Sequence, residues 1–144
     1  MRALRWLVTP ALAIFVVLAT FSGYRAVWQI RRLDLYASHD ALALGDTVGV
    51  ELVSWGRTEA RGQLELIQGT VAETLVVLQL PRNRNASLDP RPQYATSMIA
   101  LTPSILARFT PGPALLRATG VGSRQWLRTP PPTIRTRSVR LTGS

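Results

Sequence analysis

The single histidine of the chain, His39, is the first candidate for chemistry. It lies between Ser38 and Asp40, so the residue types of a serine-hydrolase triad follow one another along the chain. Adjacent residues on a strand point to opposite faces, so these three cannot form a triad among themselves. A metal site at His39 would also need several nearby carboxylates. We interpret His39 as an exposed residue in a loop or at the end of a strand.

Four glutamates could in principle converge as a general acid and base. They are Glu51, Glu59, Glu65 and Glu73. Each lies on or beside a predicted strand, where alternation makes it a solvent-facing residue. Residues 120–122 (GVG) are followed by no third glycine at the spacing of a dinucleotide loop, so they predict a turn. The sequence therefore predicts a protein that is not an enzyme, with no catalytic residue, no metal site and no cofactor.

The composition limits the chain further. Its 144 residues provide room for one domain of ordinary size and a short additional segment. All 17 basic residues are arginine, a bias that indicates a bacterial source. The absence of cysteine excludes disulfides, thiolate metal sites and covalently attached haem.

Positive charge is concentrated toward the C-terminus, because residues 90–144 contain no Asp or Glu. This pattern predicts a basic docking face for an acidic protein surface or anionic lipid headgroups, although a merely solvated face remains the alternative. Its predicted members are Arg117, Arg124, Arg128, Arg135, Arg137 and Arg140. Within the last strand, Arg135 and Arg137 alternate with Ile134, so we expect both guanidinium groups on one face and Ile134 in the core.

An apolar run near the N-terminus predicts a membrane anchor. We expect residues 1–8 to form a short basic tail and residues 9–30 a transmembrane helix. Thr9 can cap the start of this helix, and Pro10 suits its first position. Aromatic residues typical of the membrane interface flank the run, namely Trp6, Tyr24 and Trp28. A cleaved signal peptide is the main alternative. We expect a single-pass protein of the bacterial inner membrane with its domain in the periplasm, although the arginine count also allows the opposite topology.

Small residues form a stripe along the predicted anchor. They are Ala19, Ser22, Gly23 and Ala26. Such residues permit close approach of a second helix, so the stripe predicts packing against another membrane subunit.

The remainder of the chain, residues 31–144, predicts a mainly β fold. Short alternating apolar runs are separated by glycine- and proline-containing turns, as in an antiparallel sandwich of about seven strands. The predicted strands cover residues 33–36, 46–54, 62–68, 75–80, 94–101, 114–119, 125–128 and 134–141. Only residues 102–109 (TPSILARF) could form one or two helical turns.

Residues 109–118 (FTPGPALLRA) resemble the turn and penultimate strand of bacterial immunoglobulin-like domains. The resemblance implies an immunoglobulin-like β-sandwich and no particular activity. That family commonly has tyrosine where this chain has Ala114, so we expect its corner hydrogen bond to be missing.

Three hypotheses for function follow, and the first two are non-enzymatic. In the first, the chain is an accessory subunit that stabilises a multi-subunit inner-membrane complex, such as a respiratory or photosynthetic one, through contacts with other membrane subunits and the bilayer. In the second, it is an anchored periplasmic binding or chaperone-like module that captures a protein client by strand addition. An enzyme centred on His39 is a third hypothesis. No nucleic-acid or small-molecule partner is predicted.

Overall fold

A computed structural model describes residues 12–20, 30–55, 59–81, 92–122 and 131–143 of the chain. Within these ranges, residues 12–20 form helix α1, and eight strands form two sheets. The strands are β1 (Ile30–Ala37), β2 (Ala41–Leu42), β3 (Thr47–Trp55), β4 (Ala60–Gln68), β5 (Val71–Leu80), β6 (Pro92–Ala100), β7 (Gly112–Gly122) and β8 (Thr133–Leu141). A single helical turn, α2 (Pro103–Leu106), precedes β7.

The two sheets differ in size and composition. The three-stranded sheet has the order β1-β3-β6, and the five-stranded sheet has the order β2-β8-β7-β4-β5. Every pairing is antiparallel except that of β2 with β8, which is parallel. The wholly antiparallel sandwich predicted from the sequence is therefore wrong at this one edge.

Alternation along the strands builds the core between the sheets. Val48, Val50 and Leu52 on β3 are fully buried, as are Leu64 and Leu66 on β4. Because side chains on a strand alternate between faces, these residues turn one face of each sheet toward the other. We call these the inner faces and the opposite ones the outer faces.

Two glycines make room for the sheets to approach. Gly62 on β4 and Gly120 on β7 are direct cross-strand neighbours on the inner face of the five-stranded sheet. Leu52 from the opposite sheet packs there, because a Cβ on Gly62 would lie 3.2 Å from its Cδ2 atom and a Cβ on Gly120 would lie 3.3 Å from its Cδ1 atom. The missing side chains thus form the recess that receives Leu52.

The described residues do not support the predicted membrane anchor. Within the predicted span, the structure describes residues 12–20, which form helix α1. Among the residues that the structure describes, no helix is long and apolar enough to cross a membrane. The transmembrane helix at residues 9–30, the single-pass architecture and the inner-membrane location with a periplasmic domain are therefore wrong.

Most strand predictions agree with the described strands to within a few residues at either end. Three differences stand out. Residues 120–122, predicted as a turn, are the last three residues of β7. Strand β2 was missed because two residues are too few to show alternation. The strand predicted at residues 125–128 lies outside the described residues. Of the two helical possibilities for residues 102–109, one turn forms, beginning after Thr102, whose side chain accepts a hydrogen bond from the Ile105 N–H.

Candidate functional site

The outer face of the three-stranded sheet presents three rows of side chains across β1, β3 and β6. The rows are Tyr36, Gly49 and Met98; then Asp34, Glu51 and Thr96; then Arg32, Val53 and Tyr94. Each position follows from strand register, because the alternate residues of the same strands point into the core. The face therefore combines aromatic, thioether and charged groups on one sheet.

Three large side chains on this face are exposed to solvent. Tyr94 is 64% exposed, Met98 is 62% exposed and Tyr36 is 37% exposed. At the usual strand and residue spacings, Tyr36 lies about 10 Å from Met98 across the sheet and about 17 Å from Tyr94 along the diagonal. These dimensions match an extended segment of about five residues.

Gly49 leaves space for the Met98 side chain beside the backbone of β3. A Cβ at this position would lie 2.8 Å from the Met98 Cγ and 2.9 Å from the Ser97 carbonyl oxygen, which is closer than real Cβ atoms approach. The Met98 side chain therefore lies against the bare backbone of β3. Any side chain at residue 49 would displace it.

An ion cluster occupies the centre of the face. The Arg32 guanidinium contacts Asp34 through Nε, at 2.6 Å from Oδ2, and donates to Glu51 Oε1 through Nη2. The Tyr36 hydroxyl donates a long, 3.4 Å hydrogen bond to the other oxygen of Glu51. One arginine is thus held by two carboxylates between the two tyrosines.

The cluster shifts two pKa values. The hydrogen bond from Arg32 to Glu51, together with the charges of Asp34 and Glu51, raises the pKa of Arg32. Partial burial, followed by the negative charges of Glu51 and Asp34, raises the pKa of Tyr36 above its ordinary value of 10.0. At neutral pH the face therefore carries a charged arginine and a neutral phenol.

The predicted basic residues do not share one surface. Arg117 lies on the outer face of the five-stranded sheet, where its Nη2 atom is 2.7 Å from Glu65 Oε2. Arg137 lies on the inner-face side of β8 and contacts Asp40 at 2.7 Å. Two arginines of the predicted face therefore already have carboxylate partners within the chain.

The remaining basic residues are placed as follows. Arg135 shares its side of β8 with Arg137, in line with the buried Val139 and Leu141. Ile134 is exposed on the opposite side, so its predicted core position is wrong. Arg140 is exposed, and Arg124 and Arg128 lie outside the described residues. Within the described ranges, neither Arg135 nor Arg140 forms an ion pair, and the basic docking face stays a prediction.

His39 lies in the connection between β1 and β2, and its Nδ1 is 3.0 Å from Asp46 Oδ1. The other oxygen of Asp46 accepts from the Ala43 N–H at 2.8 Å, and this hydrogen bond is the main reason that the pKa of Asp46 is lowered. Ser38 donates nothing to His39 among the described contacts; its hydroxyl accepts from the Thr47 N–H. The contacts of Asp46 with His39 and Ala43 close a loop, which agrees with the interpretation of His39 as a loop residue.

The four glutamates do not converge. Glu51 lies on the outer face of the three-stranded sheet and Glu65 on the outer face of the five-stranded sheet, with the core between them. Each contacts an arginine, as do Glu59 and Glu73, which pair with Arg61 and Arg108 respectively. No two of these side chains are placed as an acid and base facing a common substrate.

A concave region of about 350 Å³ lies beside α2. It is lined by Leu44, Pro103, Leu106, Ala107, Phe109, Thr110, Pro111, Leu141, Thr142 and Gly143. None of these side chains can exchange a proton near neutral pH. The region could contribute apolar contacts but no acid–base chemistry.

The helix residues predicted as sites are mostly beyond the described part of the chain. Ala19 is half-buried in α1. Ser22, Gly23, Ala26, Trp6, Tyr24 and Trp28 lie outside the described residues.

The tyrosine- and methionine-bearing face was missed at the sequence level. A partial signal was present, because Tyr94 and Met98 are four residues apart on one predicted strand and so share a face. Nothing in the spacing indicated that Tyr36, more than fifty positions earlier, would lie on the same face. Tyr36 shares this face because β1 and β6 both pair with β3.

Comparison with known proteins identifies no family. No protein-family model matches the chain, and no curated protein matches it. Among solved structures, the chain is similar to an alkylpurine DNA glycosylase, AlkC, from Pseudomonas fluorescens, bound to DNA containing an abasic site analog. The TM-score is 0.40, with 10% identity over 77% of this chain and 30% of that chain.

Two further solved structures are similar. β-Glucosidase 3B from Thermotoga neapolitana, in complex with glucose, has a TM-score of 0.35 and 14% identity over 76% of this chain and 17% of that chain. A protein from Archaeoglobus fulgidus has a TM-score of 0.33 and 6% identity over 80% of this chain and 98% of that chain. The chain spans less than a third of the first two proteins, and likeness at these TM-scores carries no conclusion about function.

Proposed function

We propose that the chain is a non-enzymatic binding module that holds a protein partner on the outer face of its three-stranded sheet, as an accessory component of a larger assembly. The observation that carries this proposal is the shared exposure of Tyr36, Tyr94 and Met98 on one face. Tyrosine, methionine and arginine are enriched at protein interfaces, and tyrosine and arginine often dominate the binding energy. Arg32 supplies the arginine at the same place.

The proposed fold relationship is an immunoglobulin-like domain. It is supported by the position of residues 109–118, which contain the turn before β7 and the first part of β7, the penultimate strand among the described residues. Domains of this architecture present rigid sheet faces and serve many unrelated functions, so the relationship agrees with a binding role without specifying it.

Site-specific photocrosslinking in the source organism tests the proposal. A photoreactive residue would replace Met98, and in a matched strain it would replace Val77, which is 60% exposed on the outer face of the other sheet. We expect a discrete adduct with a different protein from position 98 alone, diminished by Tyr94→Ser. Equal adducts from both positions, or none from position 98, would contradict binding through this face.

A further inference from the structure

The centre of the outer face of the three-stranded sheet is negative, although the chain as a whole has a formal charge of +9. Asp34 and Glu51 are direct cross-strand neighbours there, and Arg32 contacts both. Two carboxylates and one guanidinium leave a formal charge of −1 in this cluster. Like charges placed directly opposite each other on neighbouring strands are unfavourable, so further positive charge would stabilise the pair.

Arg32 uses only one oxygen of each carboxylate. It contacts Asp34 through Oδ2 and Glu51 through Oε1. In the described part of the chain, Asp34 Oδ1 has no hydrogen-bond donor, and Glu51 Oε2 has only the distant Tyr36 hydroxyl at 3.4 Å. Two carboxylate oxygens therefore remain able to accept strong hydrogen bonds from a second cation.

The surroundings of these oxygens favour an organic cation. Tyr36 and Tyr94 lie in the rows above and below the carboxylates, and their rings can attract a guanidinium or ammonium group. The Glu51 side chain is only 18% exposed, so water screens its charge less than on an open surface. Met98 adds an adaptable apolar contact beside them.

We infer that the protein partner places an arginine or lysine side chain over Asp34 and Glu51, on a segment whose apolar neighbours contact Tyr36, Met98 and Tyr94. This inference rests on the proposed function and specifies the chemistry of the partner. The excess negative charge attracts the cation, and the exposed rings and thioether receive the apolar neighbours. The partner segment is extended, because the three exposed side chains span a diagonal of about 17 Å across the sheet.

A peptide selection followed by calorimetry tests the inference. The full chain would be immobilised and screened with a random peptide library, and an enriched peptide would be synthesised with arginine and with its neutral analogue citrulline. We expect the citrulline peptide to bind about tenfold more weakly. Asp34→Asn with Glu51→Gln should weaken the arginine peptide to a similar extent and abolish the difference between the two peptides.

Glu65→Gln is the matched control, because Glu65 is also arginine-paired, and its side chain is 13% exposed on the opposite outer face. It should leave peptide affinity unchanged. The citrulline comparison uses the unaltered protein, so it holds even if the double variant folds poorly.

The outcomes separate this inference from the proposed function. Peptides that lose affinity with Tyr94→Ser and Met98→Ser, but bind equally with arginine or citrulline, would overturn the inference and leave the proposed function standing. Peptides insensitive to every change on the face, or no enriched peptide, would contradict both. Dimerisation of the chain through this face in sedimentation, abolished by Tyr94→Ser, would replace the basic partner with a second copy and overturn the inference.

Discussion

Tyr36 reports on the charge of its face. Its pKa is raised by partial burial and then by the negative charges of Glu51 and Asp34, while Arg32 opposes those charges. The phenol must lose its proton beside two carboxylates, which disfavour a third negative charge. This residue therefore provides a direct measurement of the cluster that the inferred partner would contact.

We predict that Glu51→Gln lowers the pKa of Tyr36 toward the ordinary value for tyrosine. The substitution removes the larger of the two carboxylate contributions while conserving shape. Titration of ring-labelled tyrosine by NMR would follow the change, with Tyr36→Phe assigning the signal. Glu65→Gln should leave that pKa unchanged, and an unchanged value in Glu51→Gln would mean that the carboxylate does not face the phenol.

The turn before β7 is held from a neighbouring strand. The Gln68 side chain at the end of β4 donates to the Thr110 carbonyl at 2.8 Å and to the Pro113 carbonyl at 3.3 Å. Its Oε1 atom accepts from the Thr110 N–H at 2.9 Å and from the Thr110 hydroxyl at 3.2 Å. The Gln68 side chain thus ties this turn to the end of β4.

Gln68→Ala is therefore expected to destabilise the fold by about 1–2 kcal/mol, because it removes several partly solvated hydrogen bonds at once. Chemical denaturation followed by circular dichroism would measure the change in the free energy of unfolding. Gln79→Ala is the matched control, because Gln79 is exposed on β5 and forms no side-chain hydrogen bond with the described residues. Equal effects of the two substitutions would show that the hydrogen bonds of the Gln68 side chain contribute nothing to stability.

At the scale of the whole molecule, stability depends on how closely the two sheets pack. Leu52 enters the recess formed by Gly62 and Gly120, so the glycines matter for the space they leave rather than for an unusual backbone conformation. Leu52→Ala should cost about 2–5 kcal/mol through the cavity it creates, and Gly62→Ala should cost about 1–3 kcal/mol through overpacking.

The two changes should compensate each other. In the double variant, the new methyl group occupies part of the space vacated by Leu52. We therefore predict that the double variant loses less free energy of unfolding than the two single variants together, by about 0.5–3 kcal/mol. Denaturant unfolding of the four proteins in the cycle gives this coupling. Leu116→Ala combined with Gly62→Ala is the comparison, since Leu116 is also fully buried but is not among the atoms nearest to the Gly62 position. Additivity in both cycles would contradict the packing of Leu52 between the glycines.

The sequence alone determined the local structure of the domain. Alternation at Val48, Val50 and Leu52 predicted a strand and its buried face, because these depend on residues two positions apart. Prediction from the sequence failed where local patterns are ambiguous. An apolar N-terminal run predicted a membrane helix, but the described helix covers only residues 12–20. Ile134 alternates correctly with Arg135, yet periodicity cannot tell which of two faces turns inward at the edge of a sandwich.

Which distant residues share a surface depends on how the strands pair. Register places Tyr36 beside Gly49 and Met98, and Asp34 opposite Glu51, and register is set by strand pairing across long stretches of chain. The same pairing separates Glu51 from Glu65 and gives Arg117 and Arg137 carboxylate partners. Residue types and short spacings determine the strands, whereas the surface that a partner would meet depends on contacts between strands that no local pattern encodes.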